Sequence, residues 1–324
     1  MNFTNSLIGV ALGDAVGLPY EGLSRQKIAK FSPNFNQINL VFGKGMFSDD
    51  TEHSVIVANS LIDAKGNPKL FQKLLKRRLR VWLLTLPAGV GFATMRAIIK
   101  SFIFKNSGVF SAGNAPAMRS HLIGLAYGDN NSLLEKFVRV NTVITHTDPK
   151  AYYGALSVAK ATYLSANGRE DEFLDEIKKL IKDEEFIELI ENIFDNLDIT
   201  TLEFAKKIGL EKGVSGYIYH SLPIALHSWF KNRDSYRQAI IDVVLCGGDT
   251  DTTGAIVGGI VGAKTKTFPK EWVDNIIDYP IDIKLLKKLN LDREKSIFIN
   301  PLFSFIRNIL FLGVVLIHGV RRIF

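Results

Sequence analysis

The 324-residue chain, by length one large or two ordinary domains, reads as a single all-α domain. Two observations carry that reading. Apolar residues recur at helical spacing: Phe173, Leu174, Ile177, Leu180 and Ile181 in one segment, then Phe186, Ile187, Ile190, Ile193 and Phe194 in the next. Small residues recur every four positions in 243–263, VVLCGGDTDTTGAIVGGIVGA. There Gly254, Gly258 and Gly262 form one row, and Ala255, Gly259 and Ala263 form another. On a helix each row lies along one face. Glycine weakens a helix interior, so such rows imply packing too tight for side chains.

The totals narrow the function. With 47% hydrophobic residues and no low-complexity tract, the chain can bury a sizeable core. Lys and Arg number 40 against 33 Asp and Glu, a net charge of +7. This mild excess suggests a phosphate-bearing or otherwise anionic partner. It falls short of the basic stripe of a dedicated nucleic-acid binder, so no nucleic acid is expected as the main ligand. The single cysteine, Cys246, excludes an intrachain disulfide and a Cys-rich zinc site. A reducing, cytoplasmic setting and a buried structural thiol are expected. The apolar start carries Asp14 early and lacks a basic leader, so it does not read as a signal peptide.

In chain order, 5–16 reads as a short helix packed through small residues and stopped by Gly17-Leu18-Pro19. Asp14 falls in its last turn, against the helix dipole, which suggests a cation or donor as partner if it is not simply solvated. Glu21 follows in a turn, where a catalytic carboxylate can sit. A Gly-punctuated segment leads to Ser48-Asp49-Asp50-Thr51 and a helix over 52–63. Residues 70–84 are basic and amphipathic and read as a solvated face. A Gly-rich loop, 87–94, precedes a helix over 95–104, an arrangement that can cradle a pyrophosphate at Gly91. Residues 111–116 form a turn. Helices follow over 133–143 and 150–166, with Thr145-His146-Thr147-Asp148 between them. The acidic region 170–198 reads as two surface helices. Tyr217, in a Gly-bounded loop, offers a ring for base stacking, although aromatics are more often core. The last stretch, 302–324, holds an apolar run over 309–317. That run is too short for a span needing about 20 residues, so a buried or partner-facing helix is expected. Peripheral membrane contact, aided by Arg321 and Arg322, is the lesser alternative.

Two acidic helix starts stand out, Ser48-Asp49-Asp50 and Asp249-x-Asp251-Thr252. Either alone is an ordinary cap. If they converge, four carboxylates and two hydroxyls face one point, and like charges that close need cations. Oxygen-only ligands favour Mg²⁺, Mn²⁺ or Ca²⁺ over zinc, and two such ions make a hydrolytic centre.

The ordered blocks resemble the ADP-ribosylglycohydrolases of the dinitrogenase-reductase-activating type. They are Gly13-Asp14-Ala15-x-Gly17 with Glu21, Ser48-Asp49-Asp50-Thr51, Gly113-Asn114-x-x-x-Met118-Arg119, Thr145-His146-x-Asp148 and Gly248-Asp249-Thr250-Asp251-Thr252. They run from about 5 to 265, leaving 266–324 as a C-terminal helical extension of the one domain. The resemblance implies an all-α fold with two Mg²⁺ or Mn²⁺ ions in a cleft. It implies metal ligands at Ser48, Asp49, Asp50, Asp249, Asp251 and Thr252, with Glu21 as acid/base. Asp14 would be a supporting group. Gly91, Ser111, Gly113, Asn114, His146 and Tyr217 would shape the substrate site. The implied reaction removes ADP-ribose from a modified side chain or related conjugate. Some members carry an aspartate where Gly89 stands, which leaves room for a non-catalytic ADP-ribose-binding protein. Paired Asp clusters also suit a two-metal phosphoester hydrolase.

Overall fold

The computed structural model describes residues 3–31 and 33–321. Among them every regular element is helical, and β pairing is confined to isolated bridges.

The centre of the molecule is a pair of helices, Thr4–Gly17 and Thr250–Gly262, pressed glycine to glycine. A methyl group on Gly9, Gly13 or Gly17 would collide with the backbone of Gly258, Gly254 or Thr250. The glycine rows are therefore a backbone-to-backbone seam, which is the use predicted for them. Polar groups lock it. The Thr250 hydroxyl donates to the Gly17 carbonyl at 2.8 Å. The Tyr236 hydroxyl donates to the Gly9 carbonyl at 2.5 Å. Both helices are buried on nearly every side, as helices without a polar face should be.

The acidic helix Asp49–Ala64 packs on this pair, as do Pro149–Ala166, Ile218–Lys231 and Tyr236–Cys246. His121, buried, ties three helices together. Its Nδ1 lies 2.7 Å from the Ser6 hydroxyl and its Nε2 lies 3.0 Å from the Ser54 hydroxyl. Ser6 donates to the Gly259 carbonyl at 2.7 Å, so it accepts from His121 Nδ1–H. Burial favours the neutral ring, holding the His121 pKa down to about 3. The two amphipathic segments form outer helices, Phe173–Leu180 and Glu184–Phe194, which bury Phe173, Ile177, Phe186, Ile190 and Ile193. Trp272, Ile281, Leu286 and Leu289, beyond the blocks of the resemblance, join the same core. Cys246 is buried, and burial pushes its thiol up to about 12.

The C-terminal helix corrects the expectation. Helix Pro301–Arg321 runs straight through Arg307 and Asn308. Its stretch Pro301–Val320 has a mean hydropathy of 1.8 and is long and apolar enough, by length and composition, to cross a membrane. It is not a buried helix, because only 17% of that window is buried. The short uninterrupted run was misleading: two polar residues end an apolar string but not a helix. Those two residues anchor it. Arg307 pairs with Asp278 at 2.6 Å, and Asn308 donates to the Thr85 carbonyl at 2.9 Å. The Arg321 side chain and Arg322 lie outside the described residues.

Candidate active site

The turn after the first helix is fastened by backbone. Gly22 N–H donates to Gly248 O and Gly248 N–H to Leu23 O, both at 2.8 Å. Gly22, Gly247 and Gly248 all take positive φ, which glycine adopts without strain. These bonds set Glu21 beside the start of the glycine helix, on the rim of a cleft of about 520 Å³.

Asp14 finds its partner in the other acidic start. It is fully buried. It accepts from Ser48 N–H at 2.9 Å, from Thr51 N–H at 3.2 Å and from the Thr51 hydroxyl at 2.5 Å. The carboxylate that opposes its own helix dipole thus caps the N-terminus of the next helix. Burial raises its pKa to about 7 against the pull of these bonds.

The two acidic starts meet. The Ser48 hydroxyl donates to Asp50 Oδ2 at 3.0 Å, and the Thr252 hydroxyl donates to the same oxygen at 3.3 Å. Asp50 lies buried beneath the cleft floor, and its Oδ1 has no hydrogen-bond partner. Asp249 does not cap its helix; its carboxylate accepts from Asn114 Nδ2 at 2.7 Å. Ser48, Asp49, Asp249, Asp251 and Thr252 line the cleft.

Burial pushes Asp49, Asp50 and Asp251 well above the usual carboxylate range, and neighbouring carboxylates add to it. Asp14, Glu52, Glu21 and Asp249 act on Asp49, while Glu21, Asp249, Asp50 and Asp14 act on Asp251. Among the described residues, no group of three or more His, Cys, Asp or Glu side chains is placed to hold a metal ion. The donors are carboxylate and hydroxyl oxygens, one of them buried and unsatisfied. That set fits a hard divalent cation.

Gly91, Gly113, Asn114 and His146 also line the cleft. Gly91 is the N-cap of a helix, Phe92–Ile103, that starts three residues earlier than predicted. No side chain caps it, and Phe92, Ala93 and Thr94 of its first turn line the cleft. His146 is buried, and burial together with Arg119 lowers its pKa to about 3. Ser111 and Tyr217 are not in the wall. Tyr217 pairs through its backbone with Gly113, and its hydroxyl accepts from Lys150 at 3.3 Å.

Sequence reasoning quoted Arg119 but gave it no role. It is fully buried and donates to Asn141 Oδ1 at 2.9 Å and to Thr145 Oγ1 at 2.7 Å. It therefore fixes the Thr145-His146 turn; burial lowers its pKa to about 9, with Asp49 pulling the other way. An arginine in the short turn between two largely apolar segments, 115–118 and 122–127, was the available signal.

The family model for ADP-ribosylglycohydrolase matches residues 2–296. The chain belongs to the ADP-ribosylglycohydrolase family. An uncharacterised protein of Archaeoglobus fulgidus is 30% identical over 309 residues, covering 89% of this chain and 95% of its own. The ADP-ribosyl-[dinitrogen reductase] glycohydrolase of Rhodospirillum rubrum is 26% identical, covering 84% and 88%. The ADP-ribosylhydrolase ARH3 of Gallus gallus is 24% identical, covering 81% and 84%. A solved structure of an ADP-ribosylglycohydrolase-related protein complex superposes with a TM-score of 0.64 at 22% identity, over 94% of this chain and 97% of that one. That likeness shows the all-α fold. The family match stops before the C-terminal helix, yet Phe311 and Val315 of that helix line the cleft.

Proposed function

We propose that this protein hydrolyses the glycosidic bond between ADP-ribose and a modified side chain or a related conjugate, in a reducing cytoplasm. One observation carries the reading: two acidic helix starts, 202 residues apart in the chain, meet through Thr252 and Asp50 at the floor of a cleft. Ser48, Asp49, Asp50, Asp249, Asp251 and Thr252 would hold two Mg²⁺ or Mn²⁺ ions. Bound there, the ions would supply positive charge for sugar hydroxyls and acidify a water.

The chain's own residues do the rest. Glu21, at the rim, takes a proton from the attacking water or returns one to the leaving group. The uncapped start of helix Phe92–Ile103 receives the pyrophosphate on backbone N–H groups, aided by the dipole. His146, neutral, meets the sugar or base as a hydrogen-bond partner. Asn114 holds Asp249 in place. ADP-ribosylated protein or a small ADP-ribosyl conjugate is the partner this arrangement suits.

Gly89 favours a second reading. It lines the cleft at φ +79°, where some relatives carry an acid, so the site could bind ADP-ribose without cleaving it. One screen separates the two. Arginine-, serine- and other ADP-ribosyl linkages are incubated with Mg²⁺ or Mn²⁺ and with chelator. Metal-dependent release of ADP-ribose supports hydrolysis. Tight ADP-ribose binding with no release from any linkage supports the second reading, and release of phosphate instead of ADP-ribose rejects both.

A further inference from the structure

Charge is distributed unevenly along this chain. Residues 64–128 contain eleven Lys and Arg and no Asp or Glu, and residues 295–324 contain four and none. With +7 overall, the remainder of the chain therefore carries −8. The fold brings the two carboxylate-free stretches together. Helix Pro301–Arg321 packs on helix Pro68–Leu84. Val81 and Trp82 share the wall of a 330 Å³ cavity with Phe298 and Pro301. Ala88 packs against the cluster that holds Phe311.

The two stretches also expose large apolar groups. Leu84, Leu86, Phe92 and Ile103 are each at least 60% exposed, and so are Leu302, Leu310, Leu316 and Ile317. Soluble surfaces rarely collect so many large apolar groups without a use for them. Lys69, Lys73, Arg77, Arg96 and Lys100 are exposed on the same two helices, Pro68–Leu84 and Phe92–Ile103.

We infer that this face docks on an anionic lipid bilayer, with helix Pro301–Arg321 lying in the headgroup layer. Apolar groups beside unneutralised cations are the combination that binds such a surface. A second copy of the chain fits less well. A twofold contact through this face would bring Lys69, Lys73, Arg77, Arg96 and Lys100 of the two copies together, and the two helices that carry them hold no Asp or Glu to pair with. Spanning also fits less well. The helix is fastened from within by Arg307 on Asp278, by Asn308 on Thr85 and by Phe311 among Leu18, Leu40 and Met46. Crossing the bilayer would break these ties and carry Arg307 into hydrocarbon. Because Phe311 and Val315 line the cleft from the inner side of that helix, docking sets one cleft wall at the bilayer surface.

The test uses the full-length protein and flotation with vesicles. One set is phosphatidylcholine alone and the other contains phosphatidylglycerol. Binding is expected to be at least about ten-fold stronger to the anionic set and to weaken with salt, given the contribution of each basic residue near such a surface. Leu310→Asp with Leu316→Asp should abolish flotation. Lys100→Glu should weaken it about five-fold or more. All three positions are exposed, so circular dichroism and melting should match the unaltered protein. Three results overturn the proposal: no flotation with either set, extraction that needs detergent rather than salt, or a salt-stable dimer abolished by L310D/L316D in protein that never binds vesicles. If the double variant unfolds, K100E and the salt series still decide: equal, salt-insensitive binding of the unaltered protein to both vesicle sets, or K100E binding that matches it, rejects an anionic lipid surface.

Discussion

The two acidic helix starts are alike in composition and opposite in how they are held. The Asp49–Ala64 start is held by side chains. Asp14 arrives from another helix to take its first N–H groups, and Ser48 closes onto Asp50. The Thr250–Gly262 start is held by backbone. Gly22, Leu23 and Val214 clip Gly247, Gly248 and Asp249, and the glycine seam fixes the helix behind them. Side-chain anchoring spends a buried carboxylate and makes that start sensitive to charge. Backbone anchoring leaves Asp249 free to face the cleft and makes its start sensitive to volume. The N-terminal helix serves both, carrying Asp14 on one side and Gly9, Gly13 and Gly17 on the other.

The largest effect should come from removing one carboxylate from either start. Asp50→Asn and Asp251→Asn should each lower turnover roughly 10³-fold at saturating metal, the scale of deleting an electrostatic group at a reacting centre. Melting temperature should hold or rise without metal, because a buried like charge disappears. Activity surviving either change at limiting metal would reject a shared ion centre.

Volume should hurt the seam instead. Gly13→Ala places a methyl group against the Gly254 carbonyl and should cost about 3 kcal/mol of stability. Thermal unfolding should shift down by on the order of 5–10 °C. Near-normal melting would mean the helices slide apart freely, and the seam would not be what positions Asp249.

A third change bears on what ties the starts together from behind. His121 is neutral with a folded pKa of about 3 against 6.5 unfolded. The unfolded state then binds more protons in that window, so the contribution is intact above pH 6.5 and is lost as pH falls toward 3. At pH 5 the loss reaches about 2 kcal/mol. The buried acids act oppositely: Asp14, raised to about 7, destabilises as pH rises from about 4 to 7. The stability difference between wild type and His121→Gln, followed from pH 7.5 to 4.5, isolates the histidine. A flat difference would mean that His121 can ionise in place.

Asp14→Asn probes side-chain anchoring. An amide cannot accept all three bonds, and its NH₂ group would confront Ser48 or Thr51 N–H. Metal affinity, measured by calorimetry, should fall about 10- to 100-fold, as for other groups that orient ligands. The second start should be unaffected, so the Tb³⁺ or Mn²⁺ that still binds should report Asp249 and Asp251.

Much of this was legible in the residues, and what was not has a common cause. Glycine rows and helical spacing locate the central pair because their period is local. The acidic starts are visible because capping chemistry is local too. Asp14 could be flagged as an acid against its dipole, but its partners lie 34 and 37 residues away and no periodicity points to them. Arg119 is similar: a buried cation has meaning only once His53, Asn141 and Thr145 surround it. The C-terminal helix misled because burial is a tertiary property. Its apolar string resembles a core helix, while the structure leaves most of it outside.

The smallest effect expected is the most discriminating. Asn114→Ala removes the one side-chain bond that the structure gives Asp249, a charge-assisted contact at 2.7 Å. Because the backbone clips remain, Asp249 should stay near its place, and the loss should be about five- to ten-fold in metal requirement with stability unchanged. Asn114→Asp should be worse than alanine, since a carboxylate there adds like charge beside Asp249 rather than merely deleting a donor. Were Asn114 only a sugar contact, both variants would raise KM for the conjugate and leave the metal titration where it was. If alanine instead cost as much as Asp251→Asn, backbone anchoring would be too weak to hold this start, and the contrast with the Asp14-held start would disappear.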